Sequence, residues 1–231
     1  MRIGSPEWIA LLVEGCAQHG IAITPRQAAN MADHGRFLSD WNRKFNLTAI
    51  TEPRQIAVKH FLDALLPAPW IPCQGPLLDI GTGGGFPGIP LKIMRPEQPV
   101  TLLDASRKKI SFLKYVIRAL GLPSADAVQA RAEALGNHPE HRGRYHVVVT
   151  RAVADFATVV RLSLPLLAPG GWIVLYKGPG ENPELDPDLV KIATGSGSRL
   201  NPVAVHAYTL PFTGDPRRLV MVQVTQQLDG N

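Results

Sequence analysis

The hydrophobic pattern divides the chain into two parts with different periodicity. Between residues 5 and 66, apolar side chains recur every three or four positions, as on the buried face of a helix. From residue 76 onward, short apolar runs alternate with helical stretches, which is typical of a parallel sheet with crossover helices. The pattern predicts an N-terminal helical extension over 1–70 and an α/β layer domain over 71–231, forming one compact unit.

Three helices are predicted in the extension. The first carries apolar positions from Trp8 to Cys16, and the second begins at Thr24-Pro25, where a polar cap precedes a proline. The third spans Ile56 to Leu66. It contains His60 and Asp63, three positions apart, which we interpret as an ordinary packing or surface pair without a catalytic role.

Seven strands are predicted in the α/β domain, making a mixed sheet. Five lie near 76–80, 100–104, 125–129, 145–149 and 171–176, with helices near 89–94, 106–120, 132–136 and 155–167. The segment 178–199 is predicted as loop with a helical piece from Leu185 to Ile192. The last two runs, Val203–Leu210 and Leu219–Val224, flank turn-forming residues and predict an antiparallel hairpin that closes the sheet edge.

Composition and charge exclude several classes of protein. With 231 residues, of which 45% are hydrophobic and 19% charged, the chain is neither disordered nor fibrous. The net charge of +5 makes the surface mildly attractive to phosphates, so a polyanionic partner is allowed but not demanded.

Cysteine usage and hydropathy indicate a reduced, soluble protein. Cys16 and Cys73 have no partner spacing typical of a disulfide framework or a zinc site, so no metal is expected. No apolar run approaches the ~18 residues that a membrane span needs, and the N-terminus is unlike a cleavable signal peptide. We expect a cytoplasmic monomer that does not bind membranes.

A glycine-rich loop follows the first predicted strand. Residues 77–80 lead directly into Gly81-Thr82-Gly83-Gly84-Gly85-Phe86-Pro87-Gly88, whose glycines let the backbone turn sharply and approach a ligand. Asp104 ends the next apolar run, 23 residues after Gly81, where a carboxylate can accept both hydroxyl protons of a ribose. The alternative for Asp104 is capping of the helix that opens at Ser106.

Either a dinucleotide or S-adenosylmethionine fits this loop, and two residues favour the second. Asp79 precedes the first glycine by two positions, where a carboxylate suits the cationic amino group of a methionine moiety better than a pyrophosphate. The alternative for Asp79 is a turn or capping carboxylate. Phe86 replaces the third glycine of the G-x-G-x-x-G pattern and blocks the close approach that a dinucleotide requires.

Several motifs resemble one family in order and spacing, and they cover nearly the whole chain from about residue 37. They are Trp41-Asn42-Arg43-Lys44-Phe45-Asn46-Leu47-Thr48, His60-Phe61-Leu62-Asp63, Leu77 to Leu91, Leu102-Leu103-Asp104, Arg131-Ala132-Glu133, Val148 to Ala154, Leu167 to Gly171 and Tyr176-Lys177-Gly178. The chain resembles the RsmG (GidB) family, bacterial 16S ribosomal RNA methyltransferases acting on guanine N7. The resemblance implies a Rossmann-like methyltransferase fold, S-adenosyl-L-methionine as cofactor, and 16S ribosomal RNA or a small-subunit particle as partner.

The resemblance also implies roles for individual residues. It places Gly81 and Phe86 along the cofactor, the Asp104 segment at the ribose and Ala132-Glu133 beside the adenine. Gly83, in the same loop, is a further candidate for cofactor binding. It places Arg151, at the carboxyl end of the fourth predicted strand, in the cofactor site.

RNA contacts and chemistry complete the hypothesis. Guanine N7 has a lone pair and no proton, so methyl transfer needs positioning rather than a general base. The RNA-binding candidates are Asn46, Arg107, Lys108 and Lys177, although Asn46 also suits a turn before the helix at Glu52-Pro53. Two other functions stay open at this point, an NAD-dependent oxidoreductase and a non-catalytic RNA-binding protein.

Overall fold

The computed structural model describes residues 1–151, 155–178, 198–201 and 204–226, with backbone alone at 198, 199 and 226. The predicted helical piece from Leu185 to Ile192, the first residue of the predicted strand Val203–Leu210, and the end of the family motif at 152–154 lie outside the described residues.

The N-terminal helices begin where the sequence supplies caps. Ser5 caps α1, and Thr24 and Gln27 form a capping box at α2, each helix having proline in its first turn. The Glu52 carboxylate accepts hydrogen bonds from the amides of Arg54 and Gln55 and starts the third helical stretch. The bounds are α1 Pro6–Ala17, α2 Pro25–Phe45 and α3 Pro53–Ile56, which continues as a π-helical segment, Ala57–Leu62, into α4 Asp63–Leu65.

The sheet has eight strands in the described residues, and they fill seven positions. Its order is β3-β2-β1-β4-β5-β8-β6, with β7 also paired to β8, so β6 and β7 lie along the same edge of β8. Strands β1 to β5 are parallel, and β8 is antiparallel to β5. The bounds are β1 Leu77–Ile80, β2 Val100–Asp104, β3 Ala125–Gln129, β4 Tyr145–Arg151, β5 Leu167–Lys177, β6 Ser198–Leu200, β7 Ala204–Thr209 and β8 Pro216–Gln226.

The predicted α/β class, mixed sheet and C-terminal hairpin are therefore confirmed. Between the strands lie α5 Gly88–Met94, α6 Arg107–Leu120, α7 Ala132–Leu135 and α8 Phe156–Ser163, and 3-10 turns occupy Ala68–Trp70 and Leu164–Leu166. The helix predicted over 155–167 is shorter in the structure. Pro165 cannot continue it, because proline lacks the amide proton of the helical hydrogen bond.

Two apolar clusters cover the two faces of the sheet. Alternate residues of each strand face opposite sides, so Leu77 belongs to one cluster and Leu78 to the other. The first cluster also contains Trp8, Met31 and Phe61 from the N-terminal helices. The extension therefore packs directly on the sheet, while its boundary at residue 70 stays a prediction. In the described part of the chain, no helix combines the length and apolarity of a membrane span.

Candidate active site

The buried carboxylate of Asp79 accepts hydrogen bonds from two residues of the glycine loop. Asp79 Oδ2 accepts hydrogen bonds from Thr82 Oγ1 at 2.7 Å and from the Gly88 amide at 2.8 Å. Its Oδ1 atom is buried and has no hydrogen-bond partner among the described residues. Burial raises the pKa of Asp79 to about 7, against the opposing effect of these donors. Asp79 thus performs the turn role that we considered for it, beneath the loop.

The loop itself needs glycine at several positions. Gly81, Gly83 and Gly85 have φ angles of 70°, 59° and 92°, which residues with a side chain rarely adopt. A Cβ built on Gly83 would meet only the Gly81 carbonyl oxygen, at 3.9 Å, so this position faces open space. At Gly88 a Cβ would lie 2.7 Å from Asp79 Oδ2, so the close approach requires glycine there.

Asp104 joins the glycine loop to the start of α6. Its Oδ2 atom accepts a hydrogen bond from the Gly83 amide at 3.1 Å, and its Oδ1 atom accepts one from the Ser106 amide at 2.9 Å. Lys109 pairs with it at 3.3 Å. The side chain lies at the carboxyl end of β2, where open α/β sheets form their ligand crevice.

The Phe86 ring is stacked between two histidines. Its centroid lies 4.8 Å from the His34 ring, at an interplanar angle of 20°, and 4.6 Å from the His60 ring, at 17°. Phe61 meets it edge to face at 5.1 Å, and the Arg151 guanidinium carbon lies 5.4 Å from its centroid. The aromatic side chain that replaces a glycine is therefore fixed by contacts from the N-terminal helices.

The hydrogen bonds of His60 determine its tautomer. Arg151 has no acceptor atom, so it donates to Nδ1 of His60 across 3.1 Å. The protonated Nε2 atom then donates to Thr48 Oγ1 at 3.0 Å. Burial first, and then the charge of Arg151, lowers the pKa of His60 to about 3. The imidazole is therefore neutral at physiological pH, with both nitrogens occupied.

Arg151 also binds residues on both sides of His60 in the sequence. It donates to the Lys59 carbonyl at 2.9 Å and pairs with Asp63 Oδ2 at 3.4 Å. Asp63 also pairs with Arg217 and accepts from the Tyr208 hydroxyl. His60 and Asp63 thus belong to one network reaching from the loop to the C-terminal hairpin, so our interpretation of them as an ordinary packing or surface pair was incomplete.

These elements enclose a pocket of about 350 Å³, within the range of small-molecule sites. Gly81, Gly83, Phe86, Asp104 and Arg151, all predicted from the sequence, line it. Its other lining residues are Leu38, Leu47, Thr48, His60, Thr82, Gly84 and Lys109. Asp79 lies below the pocket rather than in its wall. Ala132 and Glu133 begin α7 after β3, at the same edge of the sheet, but do not line this pocket.

A second cavity of about 340 Å³ adjoins the first and shares Leu38 and Thr48 with it. Asn46 lines this cavity and ends α2 in the left-handed conformation, with φ at 51°. The amide of Asn42, which we did not predict, clamps Thr48 by hydrogen bonds to its backbone N–H and C=O. The cavity therefore lies between the end of α2 and the loop that leads to α3.

The other predicted RNA-binding residues lie outside both cavities. Arg107 and Lys108 are exposed in the first turn of α6, next to Lys109 in the pocket wall. Lys177 is half-buried at the end of β5, in register with Arg218 of β8. Arg107 and Lys108 thus adjoin a pocket residue in sequence. Lys177 follows Tyr176, which is the register partner of Arg151, so it lies at the carboxyl end of the strand beside β4.

Sequence reasoning missed two histidines of the site. His60 carried a usable signal, since it lies in the His60-Phe61-Leu62-Asp63 motif. His34 carried none, because a single histidine on the apolar face of a helix is indistinguishable from a core residue. It is fully buried, its Nε2 atom donates to the Gly84 carbonyl at 2.8 Å, and burial lowers its pKa to about 4.

A family model and curated relatives match most of the chain. The model described as GidB, rRNA small subunit methyltransferase G, matches residues 27–209. Ribosomal RNA small subunit methyltransferase G of Desulforamulus reducens is 42% identical over 207 residues, covering 89% of this chain and 85% of that protein. The protein of the same name from Geobacter metallireducens is 41% identical over 212 residues, covering 92% and 94%.

Solved structures share the fold at low identity. M. jannaschii TYW2, solved in complex with AdoMet, superposes with a TM-score of 0.53 and 15% identity over 71% of this chain and 74% of that chain. A SAM-dependent methyltransferase from Aquifex aeolicus gives a TM-score of 0.55 and 14% identity over 77% and 96%. The chain therefore has the Rossmann-like fold of these methyltransferases.

Proposed function

We propose a reaction for this chain from one premise: it belongs to the rRNA small subunit methyltransferase G family. It is an enzyme that transfers a methyl group from S-adenosylmethionine to ribosomal RNA of the small subunit. The finer part of the proposal is that the acceptor is N7 of a guanine in 16S ribosomal RNA. Family membership also removes the two alternatives left by the sequence, the oxidoreductase and the non-catalytic RNA-binding protein.

The pocket has groups that fit the cofactor. S-adenosylmethionine supplies a methyl group on a cationic sulfur when it is bound. Asp104 offers carboxylate oxygens for the ribose hydroxyls at the end of β2. The loop at Gly83 leaves room for a ligand beside the backbone. The Asp79 Oδ1 atom beneath the loop has no partner among the described residues, and a cationic amino group bound nearby would favour the ionised form of this carboxyl. Ala132 and Glu133, beyond the pocket wall, remain candidates for the adenine side.

The state of His60 supports guanine N7 as the acceptor. An acceptor that must lose a proton needs a base with a free lone pair and a pKa near the operating pH. His60 faces the pocket, yet its Nδ1 lone pair receives a hydrogen bond from Arg151 and its pKa is about 3. Because N7 carries no proton, Arg151, His60 and Phe86 have to fix geometry rather than move a proton.

RNA binding completes the proposal. Asn46 in the second cavity would contact the nucleotide that approaches the cofactor. Arg107 and Lys108, which precede the pocket residue Lys109, would contact phosphates. Lys177 would contact RNA from the carboxyl end of β5, beside the strand that carries Arg151. The experiment below compares free RNA with a small-subunit particle as the substrate that is recognised.

Methyl incorporation tests this function directly. Labelled S-adenosylmethionine is incubated with the protein and either unmodified 16S ribosomal RNA or intact small-subunit particles, and the modified nucleoside is identified after digestion. We expect one 7-methylguanosine per RNA in at least one substrate. Transfer to another atom would contradict the N7 assignment alone, and transfer to neither substrate would contradict the function.

A further inference from the structure

We propose that Phe45, with the cations around it, is a stacking platform for an unpaired base of the RNA substrate. The platform surface consists of Arg43, Lys44 and Phe45 at the end of α2 and Arg107 and Lys108 at the start of α6. This inference rests on the proposed function, since it presumes that the substrate is RNA. It adds a contact residue, Phe45, that lines neither cavity.

The Phe45 ring is partly exposed and packs on other aromatic rings. Its exposed fraction is 37%, which makes it one of the few large apolar side chains on the described surface. Its centroid lies 5.3 Å from that of the Trp41 ring at an interplanar angle of 40°, and Trp41 packs in turn on Phe112 and Tyr115. An aromatic ring that packs on a neighbouring ring and keeps part of its surface exposed can stack a base at little entropic cost.

Positive charge surrounds this ring. Lys108 Nζ lies over the ring, 6.0 Å from its centroid, and Arg43 and Lys44 precede Phe45 in the last turn of α2. Among the described ion pairs, these three cations take part in one, between Arg43 and the largely exposed Asp40 at 3.8 Å. An aromatic face bordered by cations is the combination that single-stranded nucleic acid binds through stacking and phosphate contacts.

Helix stability does not explain the cations of α6. The amino end of a helix carries partial positive charge, so lysine and arginine in the first turn oppose the macrodipole. Lys109 is compensated by Asp104. In the part of the chain that the structure describes, neither Arg107 nor Lys108 forms an ion pair with a carboxylate. We therefore infer that Arg107 and Lys108 bind an external anion, such as an RNA phosphate group.

The platform surface also lies beside both cavities. Arg43 lines the second cavity, together with Asn46, which follows Phe45 directly. Lys109, which follows Lys108, lines the cofactor pocket. A base stacked on Phe45 would thus belong to the strand that places its neighbouring nucleotide in the second cavity. Unpaired RNA fits this arrangement, because the bases of a duplex are already stacked on one another.

Substitution of Phe45 tests the platform. We expect Phe45→Leu, which keeps an apolar side chain, to weaken binding to unmodified 16S ribosomal RNA and to a short unstructured RNA by about 5- to 150-fold. Phe45→Tyr should retain the parent affinity, because the ring is kept. S-adenosylmethionine affinity, measured by calorimetry, should stay unchanged in both variants.

Phe212 provides a matched control. It is also 37% exposed and has a cation, Arg54, 5.8 Å from its ring centroid, but it follows β7 and lines neither cavity. Phe212→Leu should bind RNA like the parent, with thermal unfolding confirming that all variants are folded.

Equal RNA affinities of Phe45→Leu and the parent, or equal losses in the Phe45 and Phe212 variants, would overturn the platform. So would a loss confined to ribosomal particles, which would indicate a protein contact. Methyl transfer by the parent keeps this result separate from the proposed function.

Discussion

The guanidinium of Arg151 holds the imidazole of His60 by a hydrogen bond of 3.1 Å to Nδ1. These residues come from the end of β4 and from the π-helical segment of the N-terminal extension, and His60 in turn stacks on Phe86 of the glycine loop. The extension thus forms part of the candidate pocket, because it supplies lining residues and contacts the aromatic ring of the loop.

Removal of the Asp104 carboxylate is predicted to weaken cofactor binding. Hydrogen bonds to a charged group contribute about 1.5–3 kcal/mol, so Asp104→Ala should reduce S-adenosylmethionine affinity roughly 10- to 150-fold in calorimetry. Asp104→Asn is the matched control, because it keeps an acceptor for the Gly83 or Ser106 amide and should lose less. Unchanged affinity in a folded Asp104→Ala protein would refute the ribose assignment, as would tighter binding of NAD by the parent.

Replacement of two loop glycines by alanine is predicted to affect different properties, cofactor binding at Gly83 and stability at Gly88. Gly83→Ala places its methyl group in open space, so the cost is backbone strain of about 1–2 kcal/mol and the protein should fold. Gly88→Ala places a methyl group 2.3 Å from Leu102 Cδ2 and 2.7 Å from Asp79 Oδ2, so stability should fall much further.

Thermal unfolding and calorimetry distinguish the two glycine variants. Gly83→Ala should show a nearly normal unfolding midpoint but weakened cofactor binding, since the added methyl group occupies ligand space. Gly88→Ala should show a clearly lower midpoint without cofactor. Parent-like cofactor affinity in Gly83→Ala would mean that the cofactor does not approach the loop backbone there.

The buried carboxylate of Asp79 is predicted to make stability depend on pH. Its folded pKa of about 7 exceeds the unfolded value near 3.9, so between about pH 4 and 7 the folded state binds more protons than the unfolded state. Its contribution to the free energy of unfolding therefore decreases as pH rises through this window. Asp79→Asn cannot titrate, so its stability relative to the parent should rise by on the order of a few kcal/mol from pH 4 to 7.

Denaturant titrations of both proteins without cofactor measure this difference. The contributions of His34 and His60 have the opposite sign, because their depressed folded pKa values stabilise the protein as pH rises toward 6.5. They are present in both proteins and cancel in the comparison. A constant difference between Asp79→Asn and the parent would show that Asp79 is ionised in the folded state throughout the window.

The sheet and the glycine loop were predictable because their signals are local. Strand β1, the loop and Asp104 follow one another in sequence, and the apolar runs mark five parallel strands and the hairpin. The short strand β6, Ser198–Leu200, was missed, because the segment 178–199 was predicted as loop. The observed contacts of Asp79 were less accessible from the sequence, since only three-dimensional packing shows that its carboxylate lies under the loop. Its predicted contact with the cofactor stays a prediction.

The contribution of the extension was not predictable from local signals. Phe86 is separated by 26 to 52 positions from its stacking partners His60 and His34, and long-range contacts leave no periodicity in a single sequence. Asn46 and Asn42 illustrate the same limit. Asn46 fits a turn in the sequence, but only the structure shows that it lines the second cavity and that Asn42 clamps the loop.

The last prediction is that methyl transfer needs no side-chain base. His60 is the imidazole in the pocket wall, and its pKa of about 3 keeps it neutral above pH 5. Single-turnover rates should therefore stay nearly flat between about pH 6 and 9 in the parent and in His60→Gln. Loss of the ring contact with Phe86 should instead weaken cofactor binding about 2- to 12-fold, as expected for an aromatic pair.

Folding has to be checked at each pH, because the depressed pKa values of His34 and His60 make the protein less stable as pH falls below about 6.5. A parent rate that rises tenfold per pH unit through neutrality, and becomes flat in His60→Gln, would identify His60 as a general base. The acceptor would then carry a proton that has to leave, which guanine N7 does not, so this single profile would overturn both the positioning role of His60 and the proposed product.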